Sequence, residues 1–442
     1  RFGRLWGLYW GVYPAVPVTR GGTGGPGRGS LCYGQGYGKA QRVVLTTLAD
    51  GLLNTGRGII DAGADLVGTP TVRLGVTGLA RSGKTVFITS LVANLLDRGR
   101  MPHLLAQAQG RIEAAYLQPQ PNDTIPRFDI EAHKAALFGD PPAWPESTRA
   151  VSELRLSLKV RPAGLLAGWQ SARTLHVDII DYPGEWLLDL GLLDQDYATW
   201  SEAALARVRT RDEGAGYLAA LEGVNPDARL EEPVAKQLAA AFTVYLTAAR
   251  AVGYYDCTPG RFLLPGDLAG SPVLTFAPLP AGAAPRRSLG REMARRFEAY
   301  KRAVVKPFFR DHFSRIDRQV VLVDALGAIH SGPEAVRDME RAMGEILGAF
   351  RPGRNAFLTQ LLRGRRVEKI LFAATKADHI HHSQHDRLTA IMAALTRSAR
   401  DRARFAGAET EALALAALRA TTEAQVTHEG APLDVVQGTL LD

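Results

Sequence analysis

Gly78-Leu-Ala-Arg-Ser-Gly-Lys-Thr85 carries glycine, four residues, then Gly-Lys-Thr, and its flanks decide how it is read. Before it, Val72-Arg-Leu-Gly-Val-Thr77 reads as a short buried strand; after it, Val86 to Leu96 carries apolar residues at helical spacing. Strand, glycine-bounded loop and helix together form a phosphate cradle. Backbone N–H groups of residues 79–85 and the helix N-terminus neutralise phosphate charge. Gly78, Ala80, Arg81, Ser82, Gly83, Lys84 and Thr85 are therefore candidate nucleotide-binding residues, with Lys84 on the β- and γ-phosphates and the Thr85 hydroxyl on Mg²⁺. The competing reading, a plain glycine turn, leaves the Gly-Lys-Thr ending unexplained.

Two further pieces close apolar strands downstream. Thr174-Leu-His-Val-Asp-Ile-Ile-Asp181 ends on an acid, and Asp181-Tyr-Pro-Gly184 follows. Asp181 can hold Mg²⁺ through water, and the Gly184 N–H can sense a γ-phosphate; a strand-to-loop turn is the alternative. After Ile370 to Ala374 comes Thr375-Lys-Ala-Asp378. A carboxylate there can accept from both N1–H and the exocyclic amine of guanine, a donor pair that adenine lacks. Thr375, Lys376 and Asp378 are thus candidate base-side residues, against the alternative of a helix N-cap. Asp324, closing Gln319-Val-Val-Leu-Val-Asp324, reads as a cap of the turn that follows it.

The chain has 442 residues, 46% apolar and 22% charged, an ordinary composition for a soluble protein. No run approaches the roughly 20 apolar residues of a membrane span. The net charge of +8 permits contact with anionic surfaces, but no dense Lys/Arg run or aromatic platform points to nucleic acid. Cys32 and Cys257 cannot form a disulfide framework and fit a reducing, cytoplasmic compartment.

Residues 1–40 read as a glycine-rich leader, disordered or foreign to the rest, and 41–71 as helices ahead of the core. Residues 72–185 form the first part of the core, and 97–147 a long irregular connection with a helical patch at Ile130 to Leu137. Leu154, Leu156, Leu158 and Val160 alternate with polar residues, as in a half-buried strand. That strand and the one ending at Asp181 suggest an antiparallel pair at the edge of a mostly parallel sheet. Residues 186–315 are mainly helical, an insertion, and 316–442 return to the core with a last strand at Ala412 to Leu418. The first residue, Arg1, and the ending at Leu-Leu-Asp suggest a fragment, truncated at the C-terminus. His379, His381, His382 and His385 cluster without a clear tetrahedral spacing, so capping and packing are preferred over metal.

The wording of these pieces resembles the YcjX-like family of bacterial P-loop proteins over residues 41–442. The resemblance rests on Gly75-Val-Thr-Gly-Leu-Ala-Arg-Ser-Gly-Lys-Thr85, Trp144-Pro-Glu-Ser-Thr148, Asp181-Tyr-Pro-Gly-Glu-Trp186, Gln319-Val-Val-Leu-Val-Asp-Ala-Leu326 and Thr375-Lys-Ala-Asp-His-Ile-His-His382. It implies an α/β, Ras-like P-loop core with a large helical insertion, and GTP/GDP with Mg²⁺ as ligands. In such a layout Thr148 is the threonine that orders with the γ-phosphate and metal. Glu185 stands where Ras-like proteins carry the glutamine that orients water, so hydrolysis is expected to be slow. A base-backing element should fall at Ala416 to Thr421, with Ala417 against the base. The family is linked to envelope stress and is often encoded beside a small membrane protein, so a membrane-associated partner at the inner face of the membrane is expected.

Overall fold

The computed structural model describes residues 69–438, apart from 80, 98–100, 102–103, 147, 149, 163–170, 312–314, 349–366 and 406. The leader, the helices expected ahead of residue 69, and Ala80 lie outside the described residues.

β1 (Thr71–Gly78) is the centre of a seven-stranded sheet. Its neighbours are β4 (Arg173–Asp181) and β5 (Arg318–Val323), both parallel to it. Beyond β5 lie β6 (Lys369–Ala374) and β7 (Glu409–Ala414), also parallel. On the other side, β3 (Ser152–Val160) runs antiparallel to β4, with Leu156 opposite Val177. With β2 (Ile112–Gln118) outside β3, the order is β2-β3-β4-β1-β5-β6-β7, a mostly parallel α/β sheet with its antiparallel pairing confined to one edge.

The central strands read as apolar runs because both faces are covered. All six residues of β5 are buried, with Val320 and Leu322 in one apolar cluster and Val321 and Val323 in the other. The first cluster lies under α1 (Lys84–Leu96) and α2 (Ile130–Phe138), through Phe87, Ile88, Leu91 and Ile130. The second joins the sheet to the segment between β4 and β5. There α3 (Gly184–Leu188), α4 (Tyr197–Thr210), α5 (Glu232–Val252) and α6 (Leu289–Tyr300) pack aromatic side chains together. Trp200 stacks on Phe297 at 5.0 Å between ring centroids, and Phe308 bridges Tyr182 and Trp186 edge-on.

Three expectations are corrected. The segment read as an irregular connection contains β2 (Ile112–Gln118), which pairs with β3 and forms the true sheet edge. The last strand of the sheet stops at Ala414, Leu415 N–H still donates to the Ala374 carbonyl, and 416–421 turn away as a loop in which the Ala420 N–H donates to Asp378. A hairpin not expected from sequence then follows, β8 (Thr422–His428) and β9 (Ala431–Gln437), turning at Glu429 and Gly430 with positive φ of 50° and 79°.

Candidate functional site

The Gly-x₄-Gly-Lys-Thr loop leaves β1 at Gly78 and enters α1 at Lys84. Gly83 has φ 74°, a left-handed backbone that glycine adopts without strain. Gly78 is glycine for space: a Cβ there would lie 2.0 Å from Ser82 Oγ. The first turn of α1 carries no acid, so its positive end stays uncompensated. Ser82 Oγ is buried at this turn with no hydrogen-bond partner.

Lys84 Nζ lies 2.5 Å from Asp181 Oδ1 and donates to the Tyr182 carbonyl at 2.9 Å. Thr148 donates to Asp181 Oδ2 at 2.7 Å, and its hydroxyl is 3.5 Å from that of Thr85. The fold thus gathers the three candidate metal ligands, Thr85, Thr148 and Asp181, from three different elements. Gly184 opens α3 against the loop: a Cβ there would lie 2.3 Å from the Gly78 carbonyl oxygen.

At the far end, Thr375 N–H continues the sheet by donating to the Val323 carbonyl. Lys376 has φ 59° and reaches Asp324 at 2.5 Å. Asp324 also accepts from Gly327 N, so it caps α7 (Ala325–Ser331), as read from the sequence. The Asp378 carboxylate accepts from Ala420 N at 3.0 Å, and Thr421 Oγ1 donates to the Asp378 carbonyl. These bonds fold residues 415–421 around the Thr375-Lys-Ala-Asp378 turn.

A single cavity of about 320 Å³ runs from the P-loop to this turn, lined at one end by Lys84, Thr85 and Thr148 and at the other by Lys376, Asp378 and Ala417. That volume suits a small-molecule site. Gly78, Arg81, Ser82, Gly83, Glu185 and Thr375 also line it, whereas Asp181 and Gly184 sit behind the lining. Glu185 does not stand free: its Oε1 lies 2.5 Å from Arg250 Nη2, and Arg250 lines the cavity too. Arg250 was not foreseen, since an arginine in a long amphipathic helix carries no motif. Trp144, Leu418, Ala420, Thr421 and Gly438 also line it, Gly438 following the last strand of the unexpected hairpin.

The histidines divide. His379 lines the cavity, and His385 Nε2 bonds the Ala377 carbonyl at 2.8 Å, pinning the Thr375-Lys-Ala-Asp378 turn. His382 bonds Glu423 on β8 at 2.8 Å and so fastens the hairpin. Burial pushes the Glu423 carboxyl up, but bonds from His382 outweigh it and hold it below the usual carboxylate range. His381, His382 and Glu423 place possible ligand atoms within 4.8 Å of one another. His381 Nδ1, however, accepts from Ser383 N as a turn cap, in line with the capping role preferred from the sequence.

The YcjX-like family profile matches residues 72–442. The chain is 39% identical over 385 residues to "Ras-like GTPase YcjX" of Escherichia coli strain K12, covering 84% of this chain and 83% of that one. It is 37% identical over 396 residues to the protein of the same name from Shewanella oneidensis strain MR-1, covering 84% and 81%. With its Ras-like α/β sheet, its P-loop and these relatives, the chain belongs to the YcjX-like family.

Proposed function

We propose that this protein binds GTP and GDP and hydrolyses GTP slowly with Mg²⁺, as a nucleotide-dependent switch. The observation that carries this reading is a continuous cavity that has a P-loop at one end and the Asp378 carboxylate at the other. The relatives named Ras-like GTPases support it. Lys84 and the loop N–H groups would hold the phosphates, and Asp378 the guanine edge, with Ala417 against the base.

The hydroxyls of Thr85 and Thr148 and the Asp181 carboxylate are hard oxygen donors linked through Thr148, a set that suits Mg²⁺. When bound, that ion neutralises charge on the β- and γ-oxygens. Thr148 and Gly184 would register the γ-phosphate and relax after its loss. A carboxylate at position 185, already close to Arg250, cannot donate to water as an amide does; this supports slow turnover.

From the family resemblance we place the switch in bacterial envelope stress, with a membrane-associated protein partner. No described helix is long and apolar enough to cross a membrane. The deciding experiment is competition against a fluorescent guanine nucleotide. GTP and GDP are expected to displace it, and a hundredfold excess of ATP is not. Equal displacement by ATP overturns guanine selection by Asp378.

A further inference from the structure

Arg250 lies in the last turn of α5, the 21-residue helix of the insertion, just before Gly253 caps that helix with φ 113°. Its guanidinium reaches across to the core and meets Glu185 Oε1 at 2.5 Å. Both residues line the cavity that Lys84, Thr85 and Thr148 line. Glu185 is the residue after Gly184, whose backbone rests on the Gly78 carbonyl of the P-loop. Arg250 is therefore at the phosphate end, not the base end.

The contact is close but not a finished lock. Glu185 Oε1 is buried and takes no aligned hydrogen bond, so charge and proximity hold the pair. The arginine side chain is 29% exposed and the glutamate 9% exposed, so the arginine is the partner with room to move. The other lysines and arginines on this lining are differently committed. Lys84 is held by Asp181 and the Tyr182 carbonyl, Lys376 pairs with Asp324, and Arg81 is an exposed residue of the P-loop turn itself. Arg250 alone among these four comes from the insertion.

We infer that Arg250 is a catalytic residue supplied in cis by the helical insertion, and that Glu185 is the latch that holds it in the nucleotide-free protein. The inference rests on the GTP-hydrolysis reading above. In the reaction a water oxygen attacks the γ-phosphorus. The bond to the β,γ-bridging oxygen breaks with its electron pair going to GDP, and the water proton ends on inorganic phosphate or solvent. Arginine stays protonated throughout and takes no proton. It supplies charge to the transferring group, where planar bidentate donors suit phosphoryl oxygens. Moving Arg250 from Glu185 to the phosphoryl group exchanges one anionic partner for another, so the guanidinium is never left buried without a counter-charge.

The test compares wild type, Arg250→Ala, Arg250→Lys and Glu185→Ala in single-turnover GTP hydrolysis, with GDP affinity measured on each with and without aluminium fluoride. Arg250→Ala is expected to slow hydrolysis on the order of 10³-fold and to keep GDP affinity within about threefold of wild type. It should also lose the fluoride-dependent gain in GDP affinity. Millimolar guanidinium should restore part of its rate, a rescue that a packing role would not give. Arg250→Lys keeps the charge and stem and should fold if alanine does not; it is expected to remain well below wild type. Glu185→Ala should hydrolyse faster than wild type, because the latch is gone. Unchanged hydrolysis in Arg250→Ala overturns the catalytic assignment, and slowed hydrolysis in Glu185→Ala overturns the latch. If wild type binds guanine nucleotide but does not hydrolyse it, the Arg250 inference falls while nucleotide binding stands. If wild type binds no guanine nucleotide, both fall.

Discussion

Lys84 and Asp181 form a buried ion pair, 2.5 Å from Nζ to Oδ1, that ties the P-loop to the end of the neighbouring parallel strand. Each is a residue that the proposed function needs elsewhere, the lysine on phosphate and the carboxylate on a cation. Removing one partner of a buried pair leaves the other uncompensated. Lys84→Ala is therefore expected to cost about 3 kcal/mol of stability in the nucleotide-free protein, read from denaturant titration. It should also weaken GTP and GDP binding more than tenfold.

Thr148 joins the same group through one hydroxyl, which donates to Asp181 at 2.7 Å. If it senses the γ-phosphate, Thr148→Ala should bind GDP nearly as well as wild type and lose its preference for triphosphate. Competition between GDP and a non-hydrolysable GTP analogue measures this. A preserved preference would remove Thr148 from the switch.

Asp378 offers a carboxylate already oriented by the Ala420 N–H. Asp378→Asn keeps the shape but replaces one acceptor by a donor. Guanine N1–H and 2-amine then face an N–H, whereas xanthine presents an oxygen in place of the amine. GTP affinity should fall on the order of 10²-fold, with xanthosine triphosphate becoming the better competitor. Titration of both nucleotides against the variant decides it.

Asp189 is buried at the start of the insertion, accepting from Gly260 N at 2.7 Å and from the Tyr300 hydroxyl. Burial lifts its carboxyl from 3.8 to about 6, against the pull of the Tyr300 and Gly260 bonds. Between these values the folded chain holds a proton that the unfolded chain has released, so stability falls as pH rises from about 4 to 6. Asp189→Asn cannot ionise and should flatten that fall by about 2–3 kcal/mol, measured by denaturant titration across the window. Asp338, raised by burial in the same way to about 6, keeps its own share of the slope.

The parallel core was legible because strands buried on both faces read as plain apolar runs ending in chemistry: Val72 to Thr77, Thr174 to Asp181, Lys369 to Ala374. The turns after them carry the residues that meet in the cavity. β2 was not legible, since Ile-Glu-Ala-Ala-Tyr-Leu-Gln at a sheet edge has only Ile112 buried and no clean alternation. The hairpin is largely exposed on both strands, and its Glu-Gly turn lacks the Asn-Gly or Asp-Gly signature. The apolar run Ala412 to Leu418 continues past the end of β7, so composition alone could not mark where the backbone leaves the sheet. Arg250 is visible only in three dimensions, where α5 meets Glu185.

Gly260→Ala probes a different kind of contact. A Cβ at this position would lie 2.1 Å from the Glu185 carbonyl oxygen, with no flexible side chain to give way. The variant is expected to lose about 1–3 kcal/mol, seen as a lower denaturant midpoint, and to hydrolyse GTP at an altered rate.

That contact is one of two in series. Gly260 lies against Glu185, and the adjoining Gly184 lies against Gly78, backbone to backbone in both cases. Side chains are the cushions of a protein interior, absorbing small displacements by changing rotamer; between insertion, α3 and P-loop there is no such cushion at these points. Packed layers of this kind respond in steps and not by gradual deformation. A phosphate entering the loop and a partner pressing on the insertion would thus act on the same incompressible stack, and the signal between them would be all-or-none in character.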